Sequence, residues 1–305
     1  MRYILKNLEP ASFTKWKKDY QTVLEVKYQT ETGSKIWDWF TNKDKLNPNF
    51  VQIYQDLKET LQKEQGYICC YCGQDISNIP TAMDHFESKG VEKHKPKMFN
   101  YNNLMLACKM SHQITPSTIK FKETTGYENL ITQKQISEKA KCTTKRLRDW
   151  NPNLPQDPRK DISEFIAEGA DLKLHFRHCD DTKEDADVTE PNSYIFNPSQ
   201  MLDCASKFKY NSDGQINLVS VDDVTKNNML NKVLNLNAHN LCLLRASAYE
   251  AAQLDKDRLN EQLEKGQITE DDMIAEIDSQ DFLDENNRRK PFCFIYTYVL
   301  SQLLA

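Results

Sequence analysis

Cys69, Cys72, Asp84, His85, Asn103, Cys108 and His112 follow one another within a short stretch of the chain, and their types offer two kinds of chemistry. Thiolates select soft or borderline metals, so Cys69, Cys72 and Cys108 read as three ligands of a structural Zn²⁺. A second Cys-x-x-Cys pair would put the fourth ligand at position 111, where this chain has Ser111. Either Cys142, His178 or Cys179 closes the tetrahedron, or zinc has been lost and the three cysteines pack as apolar residues. A redox role for Cys69 and Cys72 ranks behind both, because Cys70 lies between them and no thioredoxin-like βαβ pattern follows.

Asp84 and His85 offer the second chemistry. Hydrolysis of a phosphodiester needs an activated water, a hold on the nonbridging oxygens and a stabilised leaving alkoxide, and one divalent cation with one imidazole can supply them. Asp84 is a hard oxygen ligand suited to Mg²⁺ or Mn²⁺. His85, pointing the opposite way on a strand, is placed to act as general base, and a histidine pKa of about 6.5 leaves it largely neutral. His112 would give the cation its second protein ligand. Asn103 is suited to bridging backbone groups and orienting the His85 loop; an ordinary helix N-cap is the alternative. Lys89, Lys93, Lys95 and Lys97 follow His85 in one loop, as phosphate contacts or as a solvated lysine loop. Each piece alone is weak, and their ordered combination carries the reading.

The elements that must position these residues are partly legible. Apolar residues over 50–61 recur at near-helical spacing and predict an amphipathic helix leading into the motif. Residues 67–80 read as a small knuckle turning at Gly73, flanked by strand-like pieces. Asn102, Asn103, Leu104, Met105, Leu106 and Ala107 read as the start of a short helix whose apolar side continues to Cys108 and Met110, stopped by Pro116. Residues 116–190 read as an insertion or linker with some helix inside it. Periodicity returns with Met229, Leu230, Val233, Leu234 and Leu236, predicting a helical C-terminal part. Thr269 and Asp272 have capping-box spacing, and 292–304 reads as a buried helix.

Composition narrows the setting. With 45 acidic against 40 basic residues the net charge is −5, which runs against the basic footprint that phosphate binding usually leaves. The signs are segregated along the chain, however. Lys139, Lys141, Lys145, Arg146 and Arg148 form a second basic run, while acidic residues crowd 180–187 and 271–281. No stretch approaches the roughly 20 apolar residues of a membrane span, and the N-terminus lacks the apolar core of a signal peptide, so a cytoplasmic location is expected. Nine cysteines then read as thiols or metal ligands rather than disulfides, with Cys242 and Cys293 as buried structural thiols.

At these residues the chain resembles the HNH endonucleases of retron and Septu antiphage systems, the PtuB family. The resemblance includes Met1-Arg2-Tyr3-Ile4 with Glu9-Pro10, Cys69-Cys70-Tyr71-Cys72, Asp84-His85-Phe86 with Lys89-Gly90, and Tyr101-Asn102-Asn103-Leu104. It continues through Phe196-Asn197-Pro198, the stretch 210–216 around Gly214, and Leu234-Asn235-Leu236-Asn237 followed by Leu241 and Arg245, so it covers most of the chain except the insertion. The chain departs from the family at Glu87 and Ser88, where Arg and Pro are frequent, and at Ser111.

The resemblance implies an α+β, predominantly helical fold. A small ββα-metal core at 67–115 would sit between a helical region at 1–66 and, beyond the insertion at 116–190, a helical region at 191–305. It places Asp84 and His85 at the family's metal-ligand and general-base positions and His112 where the family has Asn or His. It also implies a PtuA-like ATPase partner in a hetero-oligomer and a nucleic-acid substrate, DNA before an RNA such as tRNA. The competing expectation is a zinc-stabilised scaffold that has kept the fold and lost the chemistry.

Overall fold

Aromatic residues at helical spacing build an N-terminal bundle of α1 (Ala11–Asp19), α2 (Gln21–Thr30), α3 (Gly33–Thr41) and α4 (Pro48–Glu64). The structure, a computed structural model, describes residues 1–41, 48–109, 178–190, 194–219, 229–280 and 282–304, with the backbone of two further strands at 118–122 and 128–132. α4 is the expected amphipathic helix; it opens at Pro48, whose fixed φ suits a first turn, and buries Phe50, Leu57 and Leu61. At the centre of the bundle Trp16 lies 4.5 to 5.8 Å, centroid to centroid, from Phe13, Phe40, Phe50 and Phe99. Such ring pairs contribute about 0.5–1.5 kcal/mol each beyond their buried area. Trp37, on α3, carries this aromatic wall as far as His85.

α4 hands the chain to the knuckle through Gly66 and Tyr67, both at φ 63°. The knuckle is a tight hairpin, with Ile68 bridged to Asp75, the Cys69 amide donating to Gln74 O at 2.8 Å and the Gly73 amide to Cys69 O at 3.0 Å. Gly73 is required twice over. Its φ is +74°, and an added Cβ would sit 2.2 Å from the Phe294 ring.

β1 (Thr81–His85) pairs antiparallel with β2 (Leu104–Cys108), from Thr81 opposite Cys108 to His85 opposite Leu104. β2 replaces the helix expected from Asn102 through Cys108. A short continuous apolar run has the same local pattern in a buried strand as in a buried helix, and edge pairing decides between them. One edge of β2 takes β1. On the other, the Gln65 side chain accepts from the Leu106 amide at 2.7 Å and donates to Leu106 O at 2.8 Å. With all five residues buried, the backbone needed these partners.

Within the stretch read as an insertion, β3 (Thr118–Lys122) pairs antiparallel with β4 (Glu128–Thr132). The end of that stretch is no linker: His178, Cys179, Asp181 and Lys183 are buried, and a helical turn, Asp180–Lys183, docks beside the knuckle. The C-terminal part is mixed rather than purely helical. β5 (Phe208–Tyr210) and β6 (Ile216–Leu218) form a hairpin, and the predicted periodic stretch near 229–236 is one π-helical turn, Met229–Val233. α5 (His239–Glu264), α6 (Glu270–Ser279) and α7 (Cys293–Leu300) follow.

Arg245, almost fully buried, ties the hairpin turn to α5 by donating to Gly214 O at 2.7 Å and Leu236 O at 2.6 Å. The Thr269–Asp272 capping box opens α6, and α7 is the expected buried helix. Cys293 is buried and Cys242 half-buried. The fold is thus mixed α+β. Among the described residues no helix is long and apolar enough to cross a membrane.

Candidate functional site

The knuckle, the end of β2 and the returning segment bring four sulfurs together. Cys69, Cys72, Cys108 and Cys179 are all buried, and their Sγ atoms lie within 4.8 Å of one another. Cys69 Sγ stands 3.8 Å from Cys179 Sγ, and Cys72 Sγ 3.6 Å from Cys108 Sγ. Tetrahedral Zn²⁺ with bonds of about 2.3 Å separates its sulfurs by roughly 3.8 Å, so the donor set and its spacing fit a metal such as zinc. Among the three candidates Cys179 is therefore the residue that completes the four-thiol set. Cys142 lies outside the described residues. His178 serves the cluster differently, its Nδ1 3.5 Å from Cys108 Sγ and 3.2 Å from Cys179 Sγ, where an N–H can support a thiolate from the outer shell.

A backbone contact and the state of one thiol fit this grouping. The Cys108 amide donates to Cys69 Sγ at 3.3 Å. Burial would push Cys69 up, yet contacts with Cys108 and Cys179, then Cys70 and Cys72, hold it well below its ordinary value. Burial, then Cys69, push the Cys70 thiol well up, and Cys70 lies outside the four-sulfur group by position. Cys179 sits at φ 58°, a conformation that costs a non-glycine residue about 1–3 kcal/mol and that ligation offsets.

Asp84 and His85 occupy the end of β1, with their side chains on opposite faces as strand geometry requires. Asp84 turns toward the knuckle. Its carboxylate accepts from Tyr71 Oη and, at 2.8 and 3.0 Å, from Lys183 Nζ, which also donates to His85 O at 2.5 Å. Lys183 has a completely buried side chain, and Asp84 one that is 4% exposed. Asp180 is the next carboxyl; burial, and then the Asp84 charge, push it up to about 7. Tyr71, Asp180 and Lys183 carry no spacing signal, and only the meeting of two distant segments reveals them.

His85 turns the other way, onto the aromatic wall. Its ring lies 4.4 Å from that of Trp37, edge to face, and it bonds to the Met98 backbone, while Nε2 is buried and has no partner among the described residues. Burial first, then the positive charges of Lys89 and Lys183, hold the imidazole well below its usual pKa. It is therefore neutral at pH 7.

Asn103 precedes β2. Its Oδ1 accepts from the Glu87 amide at 2.7 Å, and its Nδ2 donates to Glu87 O at 3.1 Å and Lys97 O at 3.2 Å, clamping the loop after His85 at both ends.

The lysine loop is less open than its sequence suggests. Lys93 pairs with Asp187 at 2.7 Å and Glu190 at 3.0 Å. Lys95 is buried against Glu31 O and Glu92, and Lys97 pairs with Glu87. His94, also buried, bridges Glu87 at 3.0 Å and Asp187 at 2.9 Å. The Ser88 hydroxyl donates to Asp185 at 2.7 Å, in a contact so close that a Cβ on Gly90 would fall 2.2 Å from the same carboxyl. Asp187 and Glu190 thus neutralise Lys93, while Glu92 and Glu87 within the loop neutralise Lys95 and Lys97. Lys89, half-buried near His85, is not among these pairs. His112 and the second basic run at 139–148 lie outside the described residues.

No protein-family model matches this chain, and no curated protein matches it either.

Proposed function

We propose that this chain is an HNH-type endonuclease that hydrolyses phosphodiester bonds of nucleic acid, with a structural metal in its four-cysteine centre. The observation that carries this reading is the His85 imidazole. It is neutral, and its bond to Met98 leaves Nε2 with a lone pair and no partner among the described residues, at the end of a strand whose following loop is clamped by Asn103. A buried polar atom left unsatisfied costs about 1–3 kcal/mol, a cost that a base recovers when it binds the water it deprotonates. Lys89 supplies positive charge beside His85 for a phosphate oxygen. The β1–β2 hairpin corresponds to the ββ part of a ββα-metal core.

In a phosphodiester hydrolase of this kind a divalent cation, Mg²⁺ or Mn²⁺, neutralises the phosphate when bound. The Asp84 side chain does not fit that role in the arrangement described. Its oxygens are already engaged by Lys183 and Tyr71. His85 is itself 3% exposed, so substrate reaches Nε2 only after Trp37 or a neighbour moves aside.

These two facts favour a second reading, a zinc-stabilised binding subunit without catalysis. The resemblance to the PtuB family supports a PtuA-like ATPase partner and an antiphage role under either reading, with DNA or an RNA such as tRNA as substrate under the first.

Replacing His85 decides between the two. His85→Ala and His85→Gln are expected to abolish nucleic-acid cleavage and phage protection while leaving zinc content, folding and ATPase binding intact. Cleavage unchanged in both variants would remove His85 from the mechanism, and protection unchanged alongside it would favour the binding subunit.

A further inference from the structure

We propose that Lys183 is a resident counter-cation of Asp84, which keeps a hard divalent cation off that carboxylate for as long as the Asp180–Lys183 turn stays docked. The inference rests on the proposed reading of Asp84 and His85 as one catalytic strand end. Its basis is geometric. Lys183 Nζ meets three acceptors, both Asp84 oxygens at 2.8 and 3.0 Å and His85 O at 2.5 Å, which accounts for all three of its protons. The ammonium thus holds the place at the carboxylate that a metal ion would take.

Asp180 makes that place suited to more than one charge. Its carboxyl is the neighbouring acid of Asp84 on the same docked turn as Lys183, so withdrawal of the ammonium leaves two carboxyl groups near each other, a donor set for Mg²⁺ or Mn²⁺. A purely packing role is a poor account of Lys183. Apolar residues of similar volume commonly serve at least as well as a buried ion pair. The turn is also tethered: the Lys183 amide donates to Cys179 O at 2.9 Å, and Cys179 belongs to the four-sulfur centre. A metal bound at that centre would therefore hold the lysine on the carboxylate.

Mn²⁺ titration followed by the loss of the free-ion paramagnetic resonance signal tests this on the full chain, with zinc content measured in every sample. Lys183→Met is expected to bind Mn²⁺ at least about tenfold more tightly than the wild type, because a like charge within a few ångströms of the ion has been removed. Adding Asp84→Asn to that variant should abolish the gain. Lys183→Gln removes the charge but keeps a donor for His85 O, and it decides the matter if Lys183→Met does not fold.

The proposal is overturned if neither variant binds Mn²⁺ more tightly than the wild type, or if Asp84→Asn alone abolishes tight binding already present in the wild type. It is equally overturned if both lysine variants fail to fold, which would make Lys183 a strut. Mn²⁺ binding is read without nucleic acid. A gained site in a chain that cleaves nothing refutes the nuclease reading alone, and cleavage by a chain whose variants gain no site refutes only this one.

Discussion

Cys179→Ala removes the one sulfur of the four-cysteine centre that comes from outside the knuckle and the β1–β2 pair, and its effect can be worked from what that residue holds. With a metal bound, the four-cysteine centre would anchor the segment 178–190, on which Lys183 reaches Asp84 and Asp185 reaches Ser88. Without the fourth sulfur the cluster keeps Cys69, Cys72 and Cys108, too few protein ligands for a closed structural zinc site. Relief of the positive φ at Cys179 returns about 1–3 kcal/mol. Against it stand the metal's contribution, about 10–16 kcal/mol for a complete site in small zinc-dependent peptides, and about 3–5 kcal/mol for a buried ion pair that loses a partner.

A net loss of roughly 10 kcal/mol or more follows from these terms, and at about 2 °C per kcal/mol for a chain of this size Tm should fall by roughly 20 °C or more. The assay is metal content by mass spectrometry beside thermal unfolding, with Cys70→Ala as control. Cys70 is buried next to the cluster but does not belong to it. Zinc should be close to one equivalent in the wild type and in Cys70→Ala, and far below one in Cys179→Ala. A full equivalent retained in Cys179→Ala would refute the four-cysteine assignment.

Two further outcomes concern the strand end and its loop. His85 is held well below its ordinary pKa by burial and by Lys89 and Lys183, so the unfolded chain binds the extra proton first as pH falls. The stability associated with neutral His85 is therefore full above about pH 6.5 and is lost as pH drops below it toward the folded-state value. Urea unfolding at pH 8 and pH 5 should show a smaller pH dependence in His85→Gln than in the wild type, and equal slopes would contradict the assignment. The acid limb of any cleavage rate should likewise lie below pH 6.5. Asn103→Ala strands the Glu87 amide and the Glu87 and Lys97 carbonyls, at a cost of about 1–3 kcal/mol. Denaturant unfolding should register that loss with zinc content unchanged, and an unaltered midpoint would show that water replaces the clamp at no cost.

The chemistry that depends on residue type and short spacing is readable along the chain. Cys69, Cys72 and Cys108 announce a thiolate site, Asp84 and His85 alternate across a strand, and α4, the α6 capping box and the buried α7 follow from periodicity and end signals. Each of these is a local property, set by rise, pleat and the hydrogen bonds at a helix terminus.

The tertiary structure decided whatever depends on which distant segment arrives. Cys179, 110 residues from Cys69, becomes the fourth thiol of the cluster because the chain returns to the knuckle there, a choice spacing alone left open among three residues. β2 is a strand because β1 and the Gln65 amide satisfy its two edges. Lys183 reaches Asp84, and Asp187 and Glu190 reach Lys93, because opposite charges far apart in sequence lower their energy by meeting. The Cys69–Cys72 and Asp84–His85 pairs thus stand out in the sequence, while their partners were assigned by the fold.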